Sequence, residues 1–168
     1  MPALTSRTGS DSQAPVSIRA VSIRPANLAD TSDIYAIECA SFTQDGFKRR
    51  QFRDALKHGK NHFLIATIGT EAAGYIWVLT HKGRPQMGRI YSIAVSPLFQ
   101  GKGIAAKLLA AAETQLHAQG YTELRLEVRA DNTHAQQFYT HKGFSTFAHA
   151  TDYYADGMTA LKMKKTLN

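Results

Sequence analysis

RIYSIAVSPLFQGKGIAAKLL, running from Arg89 to Leu109, holds three signals whose order implies a ligand. Ile90 to Val95 is a β-branched and apolar run that reads as a buried strand, and Pro97 ends it. Gln100-Gly101-Lys102-Gly103-Ile104-Ala105 follows, and its two glycines permit backbone angles and close approaches that a Cβ forbids. From about Gly103 the spacing predicts a helix, with Ile104, Leu108, Ala112 and Leu116 four residues apart, Leu109 beside them and Gly120 at the close. A glycine loop that opens a helix offers unpaired N–H groups and the positive end of the helix dipole, which together suit phosphate. The expected ligand therefore bears phosphate.

Outward from this stretch, the composition sets bounds. The chain has 168 residues, enough for one domain with a real core, and its 43% hydrophobic and 20% charged content is ordinary for a globular protein. No apolar run approaches the roughly 18 residues of a membrane span, so no membrane partner is expected. The N-terminus lacks the basic-then-apolar pattern of a secretory signal, which makes a cytoplasmic location the expectation. A single cysteine, Cys39, excludes an internal disulfide and reads as a small packing residue on the apolar side of a helix. The formal charge of +7 suits nucleic acid, and it equally suits an anionic cofactor steered from a distance. Its densest patches, Lys48-Arg49-Arg50 and Lys162 to Lys165, read as solvated faces, and no nucleic-acid partner is expected.

In chain order, residues 1–15 are rich in Ser, Thr, Pro and Gly and read as a flexible tail, and residues 16–168 as one domain. Val16 to Arg24 alternates as a first strand that Pro25 stops. Asn27 or Asp30 caps a helix packing Ile34, Ile37 and Ala40; a second helix from Phe47 to His58 packs Phe52, Ala55 and Leu56 and ends at Gly59. Asn61–Ile68 and Ala73–Lys82 form a hairpin about the turn at Gly69–Ala72. Beyond the long helix, Leu124, Leu126 and Val128 point one way and Arg125, Glu127 and Arg129 the other. Asp131-Asn132-Thr133 caps a short helix from His134 to Lys142, which Gly143 ends. Two last strands, Phe144–Tyr153 and Thr159–Thr166, join through Ala155-Asp156-Gly157. His58 and His62 are four apart, but Gly59 breaks the helix that would align them, so no metal site is expected.

The glycine loop admits two families. Gly101-x-Gly103-x-x-Ala106 satisfies the dinucleotide fingerprint, with Glu127 near the offset of its ribose-binding acid. Ser96 to Gln100 nevertheless separates the strand from the first glycine, where a dinucleotide fold allows almost no gap. Gln100-x-x-Gly103-x-Ala105 also resembles the signature of the GNAT superfamily of acetyl-CoA-dependent N-acetyltransferases. The element order of strand, two helices, three strands, helix, strand, helix and two strands is the order of that fold. The resemblance implies an α/β (α+β) architecture: a mixed, mostly antiparallel sheet of six to seven strands flanked by about four helices.

Within the superfamily the chain is most similar to the RimI-type branch, which acetylates a protein N-terminal α-amine, typically of a ribosomal protein. Leu126 to Asn132, Phe138-Tyr139, Gly143-Phe144 and Tyr153-Tyr154 carry that likeness. It implies that the backbone of Ile93, Ala94 and Val95 pairs with the pantetheine arm of acetyl-CoA. It implies pyrophosphate contacts from Gln100, Gly101, Lys102, Gly103, Ile104, Ala105 and Ala106. It further implies that Asn132 binds the cofactor, that Glu127 accepts the proton of the amine, and that Tyr139 binds the cofactor and protonates its thiolate. Glu127 between Arg125 and Arg129 also reads as a paired surface carboxylate, Tyr139 as a packing residue and Asn132 as a helix cap.

The chemistry asks for such groups, since only a neutral amine attacks a thioester. An α-amine with a reference pKa of ~7.7 to 8.0 loses its proton far more easily than a lysine near ~10.4. Where the RimI-type pattern has a Phe-Pro-Trp-like segment, this chain has Phe42-Thr43-Gln44-Asp45-Gly46-Phe47, and Thr159 stands where an acidic residue is expected. Both departures lie where the acceptor would bind, so a small-molecule amine remains an alternative to the protein N-terminus. A dinucleotide-binding protein and a basic nucleic-acid-binding module are the remaining alternatives.

Overall fold

A computed structural model describes residues 20–58 and 61–168. One sheet of seven strands organises them: β1 (Val21–Pro25), β2 (His62–Ile68), β3 (Glu71–His81), β4 (Met87–Val95), β5 (Glu123–Arg129), β6 (Ser145–Ala150) and β7 (Ala160–Thr166). Their order across the sheet is β1-β2-β3-β4-β5-β7-β6, and every neighbouring pair is antiparallel except β4 with β5. Four helices flank it: α1 (Thr31–Ser41), α2 (Arg49–Lys57), α3 (Ile104–Ala118) and α4 (Thr133–His141). The mixed, mostly antiparallel architecture agrees with the expectation. No helix among the described residues is long and apolar enough to cross a membrane.

Each face of the sheet has its own core. On one side α3 buries Ile104, Leu108, Leu109, Ala112 and Leu116 against Leu64, Ile76, Val78, Leu124, Leu126 and Val128. On the other side α1 and α2 place Ile34, Ile37, Phe52 and Ala55 on Phe63, Ile65, Tyr75, Trp77 and Ala94. The four-residue spacing of α3 and the alternation of β5 are thus burial patterns, each large side chain contributing ~1.5–3 kcal/mol. On β5, Arg125, Glu127 and Arg129 alternate with the buried Leu124, Leu126 and Val128 and so face away from the α3 core.

Several boundaries differ from the reading of the sequence. The expected start of the first strand, the tail and Gly59 lie outside the described residues. Pro25 is part of β1, paired with Leu64; β1 is an edge strand, where a missing N–H costs little. Helix α2 begins at Arg49 because Gln51 accepts from the Lys48 N–H at 2.8 Å, and Phe47 instead joins an aromatic cluster with Phe52 and Trp77. Strand β6 ends at Ala150, before Tyr153. Helix α1 buries Ile34 and Ile37 as expected, but Cys39 and Ala40 are exposed, and Glu38 completes the buried stripe with Thr31.

Entry into α1 is held by an ion pair. Asn27 caps the turn Leu28–Asp30, and Asp30 accepts from the Asn27 N–H at 2.8 Å and from both Arg24 terminal nitrogens at 2.7 and 2.8 Å. The Arg24 hydrogen bonds hold the Asp30 carboxyl below the usual carboxylate range. A depressed folded pKa contributes stability above the unfolded value, ~3.9, and that stability is lost as pH falls through the folded value. Thermal melts from pH 5 down to pH 2 should therefore show a steeper loss of Tm in the natural chain than in Asp30→Asn; parallel curves would refute the assignment.

Candidate active site

The site begins with a surplus residue. Val78 of β3 pairs with Ile90 and Trp77 with Ser92, so Tyr91 has no partner and forms a β-bulge in β4. A bulge bends its strand and shifts the phase of its side chains. Ile90 accordingly packs in the α3 core, whereas Ser92 and Ala94 face α1. Pairing between β4 and β5 stops just before the bulge, after Met87 with Glu123, Gly88 with Leu124 and Arg89 with Arg125. Beyond Arg89 the two parallel strands part, and the edge of β4 that faces β5 has no ladder partner.

A cavity of about 310 Å³ opens in the gap. Its walls come from Arg89–Ile93 of β4, Leu126–Arg129 of β5, Asn132, Ala135 and Tyr139 of the α4 region, and Glu38, Phe42, Asp45 and Phe47 around the α1–α2 loop. Tyr153 and Tyr154, from the segment between β6 and β7, close it. Both tyrosines line the cavity, because they lie past the end of β6 where strand alternation no longer separates them.

The structure thus brings Ile93, Glu127, Asn132 and Tyr139 together on one cavity. Glu127 does not pair with Arg125 or Arg129. Arg125 bonds Glu123, Arg129 reaches Asp45, Asp131 and Asp156, and Glu127 Oε2 accepts from Arg89 Nε at 2.9 Å. Arg89 also donates to the Tyr153 hydroxyl at 2.9 Å. The second oxygen of Glu127 accepts no hydrogen bond among the described residues, so a carboxylate of fixed orientation is left with a free lone pair in the cavity. Asn132 caps α4 by accepting from the Ala135 N–H at 3.0 Å, which leaves its amide nitrogen for a ligand. Tyr139 is a packing residue by its ring, edge-on to Phe138 and Phe144, and a cavity residue by position. Burial pushes its phenol above the usual range, so it keeps its proton at neutral pH. Tyr154, half-buried, is pushed up to about 12, chiefly by burial.

The glycine loop lies apart, at the start of α3, and does not line this cavity. Gly101 and Gly103 have φ of 78° and 72°, and a Cβ at either would meet no atom within 4 Å. Glycine is there for the left-handed backbone, and the space beside it is open. Lys107 N–H bonds the Gly103 carbonyl at 3.1 Å and closes the first helical turn. The four amides before it, of Gly103, Ile104, Ala105 and Ala106, therefore have no intrahelical acceptor. Gln100, Gly101, Lys102 and Gly103 are exposed, whereas the Ile104 side chain is buried and offers only its amide. Ala94 is buried, and Ile93 and Val95 pack against the core, so these three have only backbone groups to offer on the free edge of β4.

Sequence reasoning missed Glu38, Arg89, Tyr91 and Ser92. Glu38 had a signal: a carboxylate at the fourth position from Ile34, within a stripe of apolar residues, is a buried charge in waiting. The bulge had none, since its surplus residue shows only against the register of β3.

A profile of the acetyltransferase (GNAT) domain matches residues 29–167. The chain belongs to the GNAT acetyltransferase family. This GNAT chain is 45% identical over 65 residues to the [ribosomal protein bS18]-alanine N-acetyltransferase of Haemophilus ducreyi, covering 39% of the chain and 45% of that enzyme. It is 30% identical over 138 residues to the mycothiol acetyltransferase of Actinosynnema mirum, covering 80% and 40%. The alignments thus span less than half the length of either curated relative. Among solved structures, Ard1 from Thermoplasma volcanium superposes with a TM-score of 0.80 at 28% identity, covering 89% of this GNAT chain and 99% of that one. The mostly antiparallel sheet and the early parting of β4 from β5 also differ from the parallel sheet that a dinucleotide fold requires.

Proposed function

We propose that this protein transfers the acetyl group of acetyl-CoA to a primary amine by direct attack, and that the amine is a protein N-terminal α-amine. The observation that carries the reading is the gap between β4 and β5, which sets Glu127 and Tyr139 on one cavity beside an unpaired strand edge. The proposal takes residues 16–168 as one domain, supported by a single sheet from Val21 to Thr166. It places the enzyme in the cytoplasm, supported by the exposed free thiol of Cys39, which suits a reducing compartment.

The residues present fit acetyl-CoA. The unpaired amides of Gly103, Ile104, Ala105 and Ala106, with Gln100, Gly101 and Lys102 before them, hold the pyrophosphate at the positive end of α3. The free edge of Ile93, Ala94 and Val95 pairs with the pantetheine amides as an added strand would, and the Asn132 amide donates from the far wall. Bound acetyl-CoA supplies a thioester, an acyl donor that a neutral amine attacks without an enzyme nucleophile. The free oxygen of Glu127, directly or through a water, takes the proton from the ammonium. Arg89 holds that carboxylate in place. Tyr139 gives its proton to the leaving sulfur. An α-amine at a reference pKa of ~7.7–8.0 needs only a modest base, and a lysine would need far more.

A comparison of thermal shifts with acetyl-CoA, NAD and RNA tests the cofactor, followed by thiol release with N-terminal peptides and small amines. A Tm rise with acetyl-CoA alone and turnover of peptides are expected. Stabilisation by NAD or RNA in its place would overturn the assignment. Gly103→Val adds a narrower check: forcing a β-branched residue to positive φ costs ~1–2 kcal/mol, so acetyl-CoA should bind about tenfold more weakly. Unchanged affinity would move the pyrophosphate elsewhere. The small-molecule reading is favoured by one observation, the mycothiol acetyltransferase likeness over 80% of the chain, and turnover of small amines without peptides would establish it.

A further inference from the structure

We propose that Glu38 is a positioning residue for the acceptor, a latch that ties the α1–α2 loop to β3 and β4 and so holds one wall of the amine's pocket. The inference rests on the acetyltransferase reading above. Glu38 is 2% exposed and stands in the apolar stripe of α1, where a leucine would continue the pattern. A carboxylate buried there is costly unless its oxygens are hydrogen-bonded, and here both are. Oε1 accepts from the Phe47 N–H at 2.8 Å. Oε2 accepts from the Tyr75 hydroxyl and from Ser92 Oγ at 3.3 Å, and the two hydroxyl oxygens lie 2.7 Å apart.

One side chain therefore joins four pieces of chain: α1 through its own backbone, the loop through Phe47, β3 through Tyr75 and β4 through Ser92. Ser92 faces Glu38 only because the bulge at Tyr91 turns it to this side. The loop so held carries Phe42, Asp45 and Phe47, all of which line the cavity. The Phe47 ring packs at 5.1 Å from Trp77 and 5.8 Å from Tyr91, which extends the wall across β4. At its outer end the same loop is tied a second time, by Asp45 to Arg129 at 2.7 Å. Glu38 is the inner tie. Since the loop forms the acceptor side and Gln100–Ala106 the cofactor side, loss of the latch affects amine binding and spares acetyl-CoA.

Glu38→Met and Glu38→Gln test this. Methionine keeps the volume and fills the core without an acceptor for Phe47, and glutamine restores that acceptor through its own carbonyl. Glu38→Met should speed hydrogen exchange of the Phe47 amide and raise KM for the amine about tenfold, as loss of a charge-assisted bond implies. KM for acetyl-CoA should stay within about twofold. Glu38→Gln should return both readouts most of the way. Unchanged Phe47 exchange in Glu38→Met, a KM for acetyl-CoA that rises in step with that for the amine, or a glutamine variant as impaired as the methionine one overturns the latch. If acetyl-CoA fails to stabilise the natural chain, the acetyltransferase reading falls instead, and Phe47 exchange still decides whether the loop is latched.

Discussion

Tyr139→Phe is expected to lower kcat for acetyl transfer by about 10²-fold or more while leaving acetyl-CoA binding in place. The substitution removes one oxygen and keeps the ring, which is fixed edge-on at 5.2 Å from Phe138 and 5.6 Å from Phe144, so α4 should pack as before. What disappears is the proton that, on the proposed mechanism, neutralises the departing sulfur. Burial raises the phenol above its ordinary range, and the same apolar surroundings raise a thiol released beside it, so donor and acceptor move together. Steady-state thiol release gives the rate, and the acetyl-CoA thermal shift shows whether binding survives. A variant with natural kcat would remove Tyr139 from the chemistry and leave it as core.

Glu127→Gln should cost about 10²-fold in kcat/KM at pH 7, and the deficit should shrink as pH rises to 9. Glutamine retains the shape and can still accept from Arg89, so the ion pair's geometry is largely preserved while the ability to take a proton is lost. Above the amine's own pKa, ~7.7–8.0 for an N-terminus, solvent has already removed that proton and the base becomes dispensable. The pH dependence separates this role from a structural one, because a misplaced wall would impair the reaction equally at both pH values. A deficit that is constant from pH 7 to 9 would assign Glu127 to holding Arg89 and Tyr153 and leave proton transfer to water.

Wherever one periodicity ran unbroken, the sequence was readable. Ile104 to Leu116 and Leu124 to Val128 each show the face they bury, and the glycine loop between strand and helix stands where the motif put it. Resemblance names Glu127, Asn132 and Tyr139, and the structure brings them to one cavity. The partners of Glu127 could not be read, because Arg89 reaches it from another strand, whereas Arg125 and Arg129 are its neighbours only along the chain. Helix α1 keeps its expected stripe at Ile34 and Ile37 and departs from it at the end, where hydrogen bonds from Tyr75, Ser92 and Phe47 bury Glu38 and Ala40 is left exposed. Such compensation depends on residues far away in sequence, and no local pattern announces it.

The unpartnered Tyr91 has a consequence for how such a protein can change. The crevice is written into the frame of one strand, as a single amino acid too many, and was not left over where loops failed to meet. The parting of β4 from β5 is therefore set by the strands, and the surrounding loops only line it. Segments such as Phe42–Phe47 and Tyr153–Asp156 can change their side chains, and with them the lining, while the gap between the strands keeps its position, provided the extra residue is neither lost nor matched across the ladder.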